Sequence, residues 1–508
     1  TIADMTICIL LLLLTFLIVV YKYVSSNYQY WQKRGVPHLP VSLLFGNMGE
    51  SLTGSKSLGQ ICAEIYNAFP NHTYVGFYKS RTPGIVVRDY ELIKDILIKD
   101  FKKFHDNDFY IDEKVDLIMG KNVFTLRGEQ WKQTKSQLSR CFTSKKLKTM
   151  FPLMDEVGKA MITYLNNRQE NNQLDGFDAK ELASAFAVDL IASCTFGVAG
   201  HSFDSKKGEL KKMVGEMFPQ STIIALKHVI FFVLPSLSSF IEVRVFPEKL
   251  TRYVRNMVTK TIRYRELNSI VYGDFLDIIR EPIKDSRPFT EDDLTAHAGG
   301  FFGDGVETTS IATSYILYEL AVHTDVQETL RQQIDDILSK HENKFDYDNI
   351  LELEYLDNVL QETLRLHPPF PYMAKICTET IQWPSPLGLG KGPNVTLTKN
   401  MPIFIPVYGI QRDQKFYSDP NQFRPERFST ENKGINRPFL SFGSGPRRCL
   451  GERLGHIQVK IAIAYIVANF KITLNKKTIL PLKIDPKYFL MAPKGGIHVN
   501  IVKRDEIK

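Results

Sequence analysis

Cysteine is scarce and dispersed. The 508-residue chain has six, Cys8, Cys62, Cys141, Cys194, Cys377 and Cys449, and no C-x-x-C pair among them. That excludes a disulfide framework and a zinc ribbon and points to a reducing compartment. No G-x-G-x-x-G string is present, so the chain carries no dinucleotide module of its own. Internal repeats and Gly/Ser-rich linkers are missing too, which predicts one large domain rather than an array or a tethered pair. Charge is nearly balanced: 64 Lys and Arg against 56 Asp and Glu leave +8. So small an excess does not support nucleic-acid binding; it suits an acidic protein partner or an anionic membrane surface. With 44% hydrophobic and 24% charged residues, the composition excludes disorder, collagen and coiled coil.

The longest apolar run lies at the start. Residues 5–21, MTICILLLLLTFLIVVY, are just long enough to span a bilayer. Asp4 stands where a signal peptide would be basic, and no A-x-A-like cleavage site follows. Lys22, Lys33 and Arg34 come after the run, which by the positive-inside rule places the bulk of the chain in the cytosol. The predicted division is a membrane anchor over residues 1–24, a connector over 25–45 stiffened by Pro37 and Pro40, and one domain over 46–508.

Helical periodicity dominates that domain. Residues 85–100 read as a strand entering a helix, 127–166 as helical and basic, and 228–247 as an apolar stretch broken by Pro235. Thr290, followed by Glu291, Asp292 and Asp293, caps a long helix predicted to reach about His323. Thr324 with Gln327 predicts a capping box for the next helix. A third, Tyr355 to His367, stops at Pro368 and Pro369. Strand-like pieces such as 402–410 are short. The expected fold class is mainly α with small β-sheets.

Phe442 to Gly451 reads F-G-S-G-P-R-R-C-L-G, and a helix to about Phe470 follows. Cys449 therefore precedes a helix N-terminus, where free N–H groups and the dipole favour a thiolate. Arg447 and Arg448 add positive charge, and Gly443, Gly445 and Gly451 let backbone pass close to a large planar group. One lone thiolate suits an axial metal ligand; the plainer reading is an inert buried thiol. In the long helix, Gly299, Gly300, Gly303 and Gly305 each cost about 1 kcal/mol against alanine. Either a groove or kink is wanted there, or the helix packs tightly on a neighbour with Thr308 bonding back to its own backbone. Glu362 and Arg365 share a helix face and alone would suggest a surface ion pair.

Phe442, Gly445, Arg447, Cys449 and Gly451 match the haem-binding loop of the cytochrome P-450 family at every signature position. The sequence resembles that family over nearly its whole length, and the FTSKKLKTMF string resembles insect microsomal members. The resemblance implies heme b with Cys449 as the axial iron ligand, Arg447 paired with a propionate and Phe442 shielding the sulfur. Glu362 and Arg365, with Arg427 in Pro425-Glu426-Arg427-Phe428, resemble the family's buried triad and would lock the cysteine loop in place. Trp131 to Lys135 resembles its W-x-x-x-R: Trp131 would donate to a propionate, while Lys135 keeps the charge without the planar fork. Asp304 to Thr309 resembles its oxygen-binding segment, where Thr308 would hydrogen-bond dioxygen and Glu307 relay protons. Asp304 departs from the small residue usual there. Buried, it would be a neutral donor; ionised, it would favour a cationic or hydroxylated ligand; otherwise it turns away onto a neighbour.

What the resemblance implies is an endoplasmic-reticulum monooxygenase inserting one oxygen atom of O2 into an apolar substrate. Its electrons would come from NADPH through a separate NADPH-cytochrome reductase, with cytochrome b5 as a second donor. The basic run from Lys132 to Lys148 is the expected docking face. A haem-thiolate isomerase or dehydratase would need no oxygen-activating Thr308, and a haem sensor or electron carrier would need no large apolar lining. That lining is expected along Phe109 to Phe124, Ala298 to Thr308, Pro371 to Ile376 and Phe489 to Met491.

Overall fold

The computed structural model describes residues 2–170, 176–204, 208–217, 222–233, 242–282, 287–432 and 434–504. Helices carry the architecture. Helix α1 (Ile2–Ser25) is longer than the apolar run predicted, and its 22-residue stretch from Asp4 has mean hydropathy 2.6 and is not buried by the rest of the chain. At 1.5 Å per residue it extends about 36 Å, more than the ~30 Å apolar thickness of a bilayer. The basic segment forms two helices, α2 (Gly128–Ser139) and α3 (Ser144–Glu170), separated by a short 3-10 turn. Helix α4 (Ala179–Phe196) starts on the Asp178 side chain and stops at Gly197, whose φ of 63° is left-handed. Of the apolar stretch 228–247, residues 228–233 close the helix Thr222–Val233, while 234–241 lie outside the described residues. Helix α5 (Glu248–Asn268) follows.

Helix α6 (Glu291–Val322) is the central beam, packed on α4, on α5 and on the later helices α8 (Glu354–Leu366) and α9 (Glu452–Asn469). Thr290 caps it, as the sequence predicted, and Asp293 closes a capping box with it. The helix runs unbroken through its four glycines. A Cβ would lie 2.6 Å from Ile118 at Gly299, 3.0 Å from Asn122 at Gly300, 2.5 Å from Phe246 at Gly303 and 2.8 Å from Ile191 at Gly305. The glycines thus serve close approach by four neighbours rather than a kink. Thr308 does bond back, its Oγ1 donating to the Asp304 carbonyl at 2.6 Å. Helix α7 (Thr324–Lys340) departs from the expected capping box: Thr324 is already helical, and Gln327 turns inward. Its amide bonds the Leu320 carbonyl and both backbone groups of Ile472, tying α6 to a strand.

Strands β1 (Tyr74–Lys79), β2 (Thr82–Val87), β4 (Met373–Ile376) and β7 (Pro402–Ile405) form one sheet in the order β1-β2-β7-β4, with only the β2–β7 pair parallel. A second sheet orders β3 (Phe177–Asp178), β9 (His498–Lys503) and β8 (Phe470–Leu474), and β5 (Ile381–Trp383) pairs with β6 (Val395–Leu397). The first sheet presents β4 to the cavity that α6 crosses.

Candidate active site

The cysteine loop is built by its own backbone. Gly443 N–H donates to Leu440, Arg448 N–H to Gly445 and Cys449 N–H to Phe442 at 2.9 Å, so the chain folds back just before α9. Gly445 sits at φ 67°, and a Cβ there would collide with the Leu97 carbonyl. Gly451 is the residue that opens α9, and the Phe442 ring rests 5.1 Å from that of His456. Cys449 opens onto a cavity of ≈ 390 Å³. Burial pushes its thiol up to about 11, outweighing the opposing Gly451 backbone contact. The backbone at the helix start works toward the thiolate against that burial, and a bound metal ion would favour it further.

Glu362, Arg365 and Arg427 meet as expected, and not on the surface. Arg365 Nε and Glu362 Oε2 are 2.7 Å apart with both side chains fully buried, and Arg427 Nε reaches Glu362 Oε1 at 3.1 Å. The link to the cysteine loop is Gln411. It accepts the Leu440 N–H at 2.7 Å and donates to the Arg365 carbonyl at 3.1 Å, while Ser441 Oγ bonds the Leu364 carbonyl.

Part of the cavity lining is cationic. Trp131 is buried and its indole Nε1 has no hydrogen-bond partner. Arg447 stacks on that indole at 4.0 Å, but its guanidinium donates to the carbonyls of His105, Val123 and Leu126 and to Asp106. Burial holds Arg447 down to about 10, and Asp106 opposes the fall. Lys135 donates to the Pro446 and Arg448 carbonyls, and burial, then Arg447, lowers it to about 8. Lys375, on β4, is wholly buried with Asn107 Oδ1 as its bond partner at 2.8 Å, and burial holds it well below the ordinary lysine range.

On α6, Asp304 accepts from Asn122 Nδ2 at 2.9 Å while still facing the cavity. It turns onto a neighbour without leaving the site. Burial raises it to about 6, with Asn122 acting the other way. Thr308 faces the cavity beside it. Glu307 is buried and bound by Lys180 Nζ at 2.6 Å and by the Tyr488 hydroxyl at 2.7 Å. The basic surface is more neutralised than the sequence suggested: Lys146 meets Glu281 and Lys148 meets Asp348.

A large planar group with two carboxylates fits this donor set. An orphaned indole N–H, the buried Lys375 amine held by one neutral amide, and Lys135 would meet anionic oxygen, and the Cys449 thiol lines the same cavity. Lys375, Asn122, Lys180 and Tyr488 were not singled out from sequence. Asn122 and Lys375 lie within lining ranges the sequence predicted without being named there; Lys180 and Tyr488 became neighbours only through the fold.

A cysteine-floored cavity under a long glycine-bearing helix, with a cationic edge for carboxylates, defines a haem-thiolate protein. The sequence profile described as Cytochrome P-450 matches residues 37–499, and the chain belongs to that family. It is accordingly a monooxygenase that binds haem through a cysteine thiolate, working with redox partners on small molecules. Similar curated proteins include cytochrome P-450 6j1 of Blattella germanica, 33% identical over 98% of both chains. Probable cytochrome P-450 6g2 of Drosophila melanogaster is 32% identical over 98% of this chain and 99% of that one. Cytochrome P-450 9e2 of Blattella germanica is 32% identical over 96% of each.

Proposed function

We propose that the chain oxygenates an apolar small molecule held in this cavity, with Cys449 as the iron ligand and NADPH electrons arriving through a separate reductase. The observation that carries the reading is the Cys449 thiol opening into a cavity walled by aromatic rings and shared with Thr308. Bound haem supplies the oxygen activation, the thiolate lending electron density that favours O–O cleavage. The chain's own residues bind, orient and deliver protons. Trp131, Lys135 and Lys375 would hold the propionates, Arg447 chiefly through its charge because carbonyls take most of its N–H groups. Glu307 stands between the cavity and Lys180, which keeps a quarter of its side chain in solvent. Its carboxylate can therefore take a proton from outside and hold it one residue from the Thr308 hydroxyl. Glu362, Arg365 and Arg427 act as scaffold for the loop.

The exposed apolar α1 supports a single-pass anchor in the endoplasmic reticulum with the domain in the cytosol. Residues 1–24, 25–45 and 46–508 then serve as anchor, connector and catalytic domain, with NADPH-cytochrome reductase and cytochrome b5 as donors. Three measurements test the reading. Reduced protein under carbon monoxide should show the band of thiolate ligation, and Cys449→Ser should lose it; retention would overturn the assignment. Product formation that proceeds without NADPH and reductase would instead indicate an isomerase. Removing residues 1–25 should release the protein from membranes with its haem in place; a truncated chain unable to take haem would refute the anchor role.

A further inference from the structure

Asp304 faces the cavity with one neutral partner. Among the described residues no cation lies within ion-pair distance of it, and its recorded bond is to Asn122 at 2.9 Å. Asn122 is held in turn: its Oδ1 accepts the Phe124 N–H at 2.7 Å, which fixes Nδ2 as the end that donates. Gly300, one turn before Asp304, leaves the space into which that Nδ2 fits, 3.0 Å from where a Cβ would stand. One carboxylate oxygen is thus anchored and the other is free to meet a ligand.

The surrounding wall is aromatic. Phe109 stacks on Phe124 at 4.8 Å, Phe109 meets Phe232 at 4.9 Å, and Phe489 touches Phe232 and Phe370. All five line the same cavity as Asp304. The two histidines in the lining, His228 and His297, are held neutral by burial at about 4, so neither answers the carboxylate with an imidazolium. Lys135 and Lys375, which line the same cavity, would be taken up by the propionates in the function proposed above.

We infer that Asp304 is a specificity-determining residue that receives the protonated nitrogen of a lipophilic aliphatic amine, with Asn122 as its positioning residue. This rests on the proposed haem monooxygenase and names the substrate class of that site. A carboxylate without a counter-cation in a cavity walled by aromatic rings is costly to keep, and an ammonium relieves that cost. Ring faces attract the same cation, and the apolar body of the ligand gains from leaving water. A hydroxylated ligand would satisfy the hydrogen bond but leave the charge unanswered.

The test uses the full-length, haem-loaded protein in lipid nanodiscs and three probes of one shape: N,N-dimethyloctylamine, its alkane isostere 2-methyldecane, and the alcohol 2-methyldecan-2-ol. Dissociation constants come from the haem spectral shift and from equilibrium dialysis. The amine should bind at least about tenfold tighter than the alkane and clearly tighter than the alcohol. Asp304→Asn should bring the amine-to-alkane ratio within about twofold while leaving the alkane constant and the haem content unchanged. Asn122→Ala should lower the ratio part of the way, a change that a purely structural role would not confine to the amine. Equal binding of all three probes, a ratio that survives Asp304→Asn, or an alcohol as tight as the amine would overturn the inference. So would a spectrum showing nitrogen bound to iron. If Asp304→Asn takes no haem, the comparison of amine with alcohol in the unsubstituted protein still decides. Loss of the thiolate band in that protein would sink the functional reading itself; an intact band with a ratio near one would sink this inference alone.

Discussion

Glu362→Ala is the substitution for which the structure gives the firmest magnitude. Glu362 is fully buried, and its two oxygens receive Arg365 Nε and Nη2 at 2.7 and 2.8 Å, Arg427 Nε at 3.1 Å and the Arg424 N–H at 2.9 Å. Removing it strands two guanidinium groups, Arg365 wholly inside the protein. Breaking a buried pair from one side costs about 3–5 kcal/mol, against a total stability of ~5–15 kcal/mol. A loss of ~3 kcal/mol shifts the folded-to-unfolded ratio by roughly a hundredfold. The damage should reach the cofactor, because Gln411 joins the Arg365 carbonyl to Leu440 and Ser441 just before Phe442. The assay is the half-life of the carbon monoxide band at fixed temperature, since a chain of this size is better judged by a rate than by a reversible melt. Glu328→Ala is the control: Glu328 pairs with Arg331 on the surface, where such pairs contribute about 0–1 kcal/mol. Glu362→Ala should lose the band far faster than Glu328→Ala, with Glu362→Gln between them. Equal half-lives would refute the reasoning, because the triad would then hold nothing that solvent could not replace.

Trp131→Phe removes an indole N–H that has no partner in the protein. The haem-free chain should therefore be as stable as before or slightly more so, while haem loss to an excess of a haem-scavenging protein should be faster. Gly445→Ala combines a left-handed φ of 67° with a collision at the Leu97 carbonyl, and should yield protein lacking the thiolate band; a normal band would show that the loop can shift. Asp293 is raised by burial, but bonds from Lys121 and Thr290 more than offset this and hold it at about 2, below its ordinary 3.8. A depressed carboxyl stabilises the fold above its unfolded value, so this contribution should be lost as pH falls from about 4 to 2. Asp293→Asn should flatten that part of an acid-stability profile.

The glycines of α6 show where sequence reasoning reaches and where it stops. Four glycines in a helix announce that something needs the space, and Thr290 announces where the helix begins, because capping is local chemistry. What occupies the space is Ile118, Asn122, Phe246 and Ile191, residues up to 181 positions away, and no local rule names them. The cysteine loop was legible for the same reason as the cap: its turn, its φ angles and its cysteine lie within ten residues. Glu362 and Arg365 were legible from their spacing as a pair and as a buried one only through the family resemblance, because burial is supplied by Gln411 and the chain around Pro420. Gln327 misled for a comparable reason. Its spacing from Thr324 suits a capping box, yet it spans to Ile472 because a distant strand offers two backbone groups in one place.

The buried charges divide into two kinds, and the division separates scaffold from site. Glu362 and Arg365 answer one another completely, and Glu307 is met by Lys180 and Tyr488. Among the described residues no ion pair answers Asp304 or Lys375, although Asp106 acts on the lysine from a distance. Each is held by a single asparagine amide, Asn107 for the lysine and Asn122 for the aspartate. A neutral amide can aim a charge but cannot cancel it, so both groups are costly to the empty fold and gain only when an opposite charge arrives. They lie in the same cavity with opposite signs. The cavity is therefore polarised, anion-seeking at β4 and cation-seeking at α6. A cofactor carrying carboxylates at one rim and a substrate carrying an ammonium at one end would each find a single orientation in which their charges are met, and in that orientation the amine lies against Asp304, one helical turn from Thr308.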